Sequence, residues 1–149
     1  MEAVTTKEKR IMVVDDDRDV NRLISYNLSK SGFYPECVYD GYEAQEKLKK
    51  GHFDIIILDV MLPGPDGFSI CKAIKDDPKA SGTFVVILTA KGETQDKLYG
   101  NLLGADQYIT KPFCVGELMR VVKELAQVRH KDFVVKSDPV MERMQRRQA

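Results

Sequence analysis

The segment Ile11-Met12-Val13-Val14-Asp15-Asp16-Asp17 and its counterpart Ile55-Ile56-Ile57-Leu58-Asp59 each run four apolar residues directly into carboxylate. Apolar runs without alternation read as strands covered on both faces, as in a parallel sheet. Two such strands side by side would bring several negative charges within a few ångströms of one another. A cluster of that kind needs either a hard cation among its oxygens or protons on some of them. A divalent metal site that keeps one carboxylate for chemistry is the first expectation.

The 149-residue length suits one domain with a full core of its own, and 43% hydrophobic and 31% charged residues are ordinary for a soluble globular chain. The formal net charge is zero, so no global field favours nucleic acid or an anionic membrane. Met1 to Arg10 is polar and charged, unlike a signal peptide, and no apolar run nears the roughly 20 residues that span a bilayer. Cys37, Cys71 and Cys114 are odd in number and widely spaced, so they read as reduced thiols and point to a cytoplasmic location.

Strand and helix alternate five times along the chain. Strands are expected at 11–15, 33–39, 53–59, 83–89 and 107–110. The second is placed near an edge because Pro35 interrupts it. Helices are expected at 18–31, from the Asp40 cap to Lys50, at 68–75, at 93–103 and at 115–129. Gly32 and Gly51 close the first two. Alternation of this kind implies right-handed crossovers and a parallel sheet wrapped on both sides. Ligands bind such sheets beyond the carboxyl ends of the strands. That rule gathers Asp15, Asp16, Asp59, Thr89 and Lys111 at one mouth, while Asp17 is read as the cap of the first helix.

The chemistry such a mouth allows is phosphoryl transfer. Mg²⁺ (or Mn²⁺) takes one or two carboxylates plus neutral oxygens. Asp16 and Asp59 are read as direct ligands, Asp15 as holding a metal-bound water, and the Met61 backbone carbonyl as a further oxygen. Screened by the cation, Asp59 could attack phosphorus and form an aspartyl-phosphate. Lys111, the Thr89 hydroxyl and the Ala90 N–H would then meet the phosphoryl oxygens. Pro112 biases Lys111 to an extended backbone, and the Lys111–Pro112 bond is expected to be cis.

With these residues in place, the chain resembles a response-regulator receiver domain of the CheY-like superfamily. The matching residues are the triplet after Val13-Val14, Asp59 within DIIILDVMLPGPDG, Thr89 within VVILTA, and Lys111 within DQYITKPF, covering about residues 10–129. The resemblance implies a flavodoxin-like, doubly wound α/β fold with a five-stranded parallel sheet and five helices. It also implies Mg²⁺-dependent phosphorylation of Asp59 by a sensor histidine kinase or phosphotransfer protein. A switch through Thr89 and Tyr108 would then alter a surface that binds a downstream effector protein. On this reading the chain is a phosphoacceptor and not a turnover enzyme, with no direct nucleic-acid binding and no membrane insertion.

Residues 1–9 are expected to be a tail, 10–130 the receiver domain, and 131–149 a tail or linker. The first expectation for output is a single-domain regulator. The alternative is the amino-terminal receiver of a longer transcription regulator with an ATPase output domain, hinted at by Ser137-Asp138-Pro139-Val140-Met141. A remote alternative is a haloacid-dehalogenase-like phosphatase, from the Asp-x-Asp spacing in Asp15-Asp16-Asp17. It leaves Asp59 without a role, and past Lys111 it lacks the acidic pair that chemistry needs. His52 and His130 are read as solvated.

Overall fold

A computed structural model describes residues 9–80, 82–90 and 104–128. Five strands form one parallel sheet: β1 (Arg10–Val14), β2 (Tyr34–Val38), β3 (Ile55–Asp59), β4 (Phe84–Ala90) and β5 (Gln107–Lys111), in the spatial order β2-β1-β3-β4-β5. The described helices are α1 (Arg18–Lys30), α2 (Gly41–Lys50), α3 (Gly67–Asp76) and α4 (Val115–Gln127). The helix expected at 93–103 lies outside the described residues, as do His130 and the segment 131–149. The winding reverses at β1, so the switch point lies between β1 and β3, where both carboxylate-ended strands sit. β2 is an edge strand, as Pro35 implies, and β5 forms the opposite edge.

Alternating side chains of each strand feed two separate cores. Ile11, Val13, Ile55, Ile57, Val86 and Leu88 face α1 and α4, where Ile24, Leu28, Leu118 and Val122 complete the layer. Met12, Val14, Ile56, Leu58, Val85 and Ile87 face α2 and α3, against Ala44, Ile70, Cys71 and Ile74. Because every residue of β3 is buried, no polar side chain can be placed along it before its end. Asp59 ends the strand at the sheet's carboxyl edge and is still largely buried.

The helix ends are set by local chemistry. Asp17 accepts from the N–H groups of Asp19 and Val20 to start α1. At its other end Gly32, at φ 93°, allows the Phe33 N–H to close on the Leu28 carbonyl at 3.0 Å and the Gly32 N–H on Ser29 at 3.0 Å. Asp40 caps α2 through the Glu43 N–H at 2.8 Å, and the Glu43 carboxylate reaches back to the Tyr39 N–H at 3.1 Å. Burial pushes the Cys71 thiol up to about 11, so it behaves as a small apolar residue.

One buried ion pair ties α3 to the approach to β5. The Lys75 ammonium donates to Asp106 Oδ2 at 2.9 Å and to the Thr83 carbonyl at 2.9 Å. Asp106 Oδ2 also accepts from the Val85 N–H at 2.7 Å. The two side chains are only 17% and 10% exposed, so removing one partner strands charge in a dry place. We expect Asp106→Ala to lower unfolding stability by about 3–5 kcal/mol in urea titrations; a loss below about 1 kcal/mol would mean that the pair is effectively solvated.

Candidate functional site

β1 ends at Val14, but the chain is held in line for one residue more. The Asp15 N–H donates to the Val38 carbonyl at 3.1 Å, which carries the Asp15 side chain fully into the interior of the mouth. Beneath it lies Asn21 on the first turns of α1, also fully buried. Asn21 Nδ2 donates to the carbonyls of Val13, Asp15 and Val38 at 3.0, 3.2 and 2.9 Å, and Asn21 Oδ1 accepts from Ser25 Oγ at 3.2 Å. One amide therefore locks the ends of β1 and β2 to α1. Asp15 Oδ1 accepts from the Asp17 N–H at 2.9 Å, which turns the chain and leaves Asp16 exposed at the rim.

Asp59, at the end of β3, is nearly buried, and its Oδ1 accepts from the Met61 N–H at 3.0 Å. α3 starts close against it. A Cβ on Gly67 would lie 2.6 Å from the Asp59 carbonyl oxygen, so only glycine permits that approach. Carboxylate oxygens of Asp15, Asp16 and Asp59 lie within 4.8 Å of one another. From the far side of the sheet the Lys111 ammonium reaches Asp15 Oδ2 at 2.9 Å and Asp59 Oδ2 at 3.2 Å. The Lys111–Pro112 peptide bond is cis, as expected.

The other expected site residues fall at or beside this mouth. Thr89 is buried one residue beyond Leu88, the β4 partner of Asp59, and Ala90 pairs with Lys111 across β4 and β5. Met61 turns its side chain outward, 74% exposed, and presents its backbone to the site. Tyr108 lies lower on β5, paired with Ile87, partly buried against the α2–α3 core and away from the carboxylates. His52 is exposed and pairs with Asp54 at 3.4 Å, near the starts of the strands. Sequence reasoning missed Asn21, whose signal is a lone amide on the inward face of a capped helix. It also treated a cation or protons as the only remedies for the acidic cluster. The structure shows a third, a lysine whose single positive charge is shared between two carboxylates.

The donor set is all carboxylate, with no thiol or imidazole in the group. Hard oxygens of this kind fit Mg²⁺ or Mn²⁺ and not a soft metal. Burial raises the pKa of Asp15, and the Lys111 ammonium and the Asp17 N–H pull it only part of the way back. Lys111 itself is held above its ordinary value: burial pulls it down, and the bonds to Asp15 and Asp59 outweigh that pull. Both shifts favour the fold at lower pH and weaken it as pH rises, in two separate windows. Lys111 contributes stability below its ordinary 10.5, and this is lost only as pH rises through its elevated folded value. Asp15 favours the fold only when protonated, so its contribution is lost as pH rises from 3.8 through its elevated folded value. In chelator, we expect Asp15→Asn to melt above the wild type at neutral pH, with the gap closing as acid protonates Asp15. A variant that melts lower throughout would mean that the Lys111 pair outweighs burial.

The sequence pattern of the response regulator receiver domain matches residues 11–123. Among solved structures, a candidate response regulator from Chloroflexus aurantiacus is 33% identical, over 79% of this chain and 97% of its own, with a TM-score of 0.76. The chemotaxis response regulator CheY4 of Vibrio cholerae is 30% identical over 78% of this chain and 98% of its own, with a TM-score of 0.74. The signal receiver domain of a signal transduction histidine kinase from Syntrophus aciditrophicus is 31% identical over 80% and 90%, with a TM-score of 0.75. With the doubly wound sheet and the acids at its switch point, these matches establish that the chain belongs to the response regulator receiver domain family.

Proposed function

We propose that Asp59 accepts a phosphoryl group from the phosphohistidine of a sensor histidine kinase or phosphotransfer protein, in a Mg²⁺-dependent reaction. The observation that carries this reading is the shared ammonium. Lys111 bridges Asp15 and Asp59 in a mouth that also holds Asp16, so the carboxylates are gathered around one ammonium before any ligand arrives. Asp16, Asp59 and the Met61 carbonyl would hold Mg²⁺ or Mn²⁺, with Asp15 supporting from behind. When bound, the cation supplies charge neutralisation for the carboxylates and the incoming phosphoryl oxygens.

The residues divide the work between them. A carboxylate oxygen of Asp59 forms the new P–O bond as the P–N bond to the donor imidazole breaks; the imidazole keeps that electron pair and takes a proton from water. Transfer of this kind demands positioning and charge stabilisation more than an acid or base. The Met61 N–H and the near-burial of Asp59 fix the orientation of the nucleophile. Lys111 changes partner, from the two carboxylates to a phosphoryl oxygen. The Thr89 hydroxyl and the Ala90 N–H, at the adjoining strand end, take the others.

The phosphorylated form is proposed to act through Thr89 and Tyr108. Thr89 is buried, so drawing its hydroxyl toward the phosphoryl group vacates space inside the sheet edge. Tyr108 then turns inward and reshapes the β5–α4 surface for an effector protein. Inverting a 1:99 population would take about 5.5 kcal/mol, so partial switching is the expectation. The receiver unit is proposed to span residues 10–130 and to work in the cytoplasm through protein contact.

Incubation with acetyl phosphate and Mg²⁺ should give an adduct of about 80 Da by intact mass, the added PO₃H group. We expect Asp59→Asn or excess chelator to abolish it, and Lys111→Ala to slow its formation by roughly 10²-fold. An adduct that survives Asp59→Asn would overturn the assignment.

A further inference from the structure

The loop between Asp59 and α3 has to keep the Met61 backbone at the mouth, yet its outer residues Met61, Pro63, Gly64 and Asp66 are exposed. Their support comes from the start of α2. The Gly41 N–H donates to the Pro63 carbonyl at 3.2 Å. Gly41 lies so close to the loop that a Cβ there would sit 1.9 Å from the Pro65 carbonyl oxygen, an approach no other residue allows. Next to it, the ring of Tyr42 lies on Gly64, which has φ +76°. A Cβ on Gly64 would come within 2.6 Å of Tyr42 Cε2 and 2.7 Å of Cδ2. Tyr42 is 66% exposed, an unusual placement for a large ring with no core to serve.

We infer that Tyr42 is a positioning residue for the phosphoacceptor site, clamping Gly64 so that the Met61 carbonyl and N–H stay aligned with Asp59. The inference rests on the phosphoacceptor reading above and deepens it: it assigns to α2 a part in metal binding that none of the acids supplies. The physical logic is that of any outer support. The loop is anchored at one end by the Met61 N–H on Asp59 Oδ1 and at the other by Asp66, the cap of α3. Between those anchors Leu62 packs inward on the α2–α3 core, and the exposed Gly64 is covered from outside by the Gly41–Tyr42 corner. Phenylalanine should serve as well as tyrosine, because the contact is made by the ring.

The test is a titration of the full chain with MgCl₂, without a phosphodonor. The amide shift of Met61 is followed by NMR and the heat of binding by calorimetry, for wild type, Tyr42→Ala and Tyr42→Phe. Tyr42→Ala should raise the Mg²⁺ dissociation constant about tenfold, at the lower end for loss of an outer support, and Tyr42→Phe should bind like wild type. The metal-free thermal midpoint should move by no more than about 3 °C in either variant, since an exposed side chain holds little of the fold. An alanine variant binding Mg²⁺ within about twofold of wild type overturns the inference, as does a phenylalanine variant as weak as alanine. Wild type that binds no Mg²⁺ overturns the phosphoacceptor reading and this inference together, so the two failures are told apart.

Discussion

One ammonium group holds the functional end of this protein together. Lys111 donates to Asp15 and to Asp59, and without it two buried carboxylates would face each other across adjacent strands. The order β1-β3-β4-β5 puts three strand spacings, about 14 Å, between the backbones of β1 and β5. Only a long cationic side chain entering from β5 and short acids leaning from β1 and β3 can meet across that gap. The pairing is therefore a property of the winding as much as of the residues.

The same arrangement explains why the site is poised and not inert. A single ammonium shared by two carboxylates offsets at most one of their charges, and burial holds the pKa of Asp15 up. The mouth would gain from further positive charge, which a divalent cation would supply. What a stable hydrophobic edge would offer in folding energy is given up here for chemistry. The supports that tolerate this cost lie one layer back. Asn21 pins the turn that carries the acids, Gly67 lets α3 press on Asp59, and the Gly41–Tyr42 corner carries the loop beyond it.

Much of this was legible in the sequence because the signals are local. Four apolar residues running into an acid mark a buried strand and its end, and glycine after a periodic run marks a helix stop, so the boundaries of the described elements agree to within a residue or two. Pro35 correctly marked β2 as an edge, and Asp17 correctly read as a cap. Long-range pairings were not legible. Lys75 and Asp106 are 31 residues apart with nothing in either neighbourhood to name the partner, and although the strand ends put Lys111 at one mouth with Asp15, 96 residues away, its direct bond to that carboxylate had no signal. Asn21 looked like one more polar residue on a helix, because its acceptors are backbone carbonyls that carry no sequence signature. Gly41 was hidden because the need for glycine comes from Pro65, on another loop.

A crystal structure of the chain with Mg²⁺ and beryllofluoride, a tetrahedral mimic of the phosphoryl group, bears most directly on the claim that Lys111 trades carboxylates for phosphate. The account predicts beryllium on a carboxylate oxygen of Asp59, a cation touching Asp16, and the Lys111 ammonium moved from Asp15 to a fluoride. Beryllium bound elsewhere, or Lys111 still seated between Asp15 and Asp59 with the adduct in place, would contradict it.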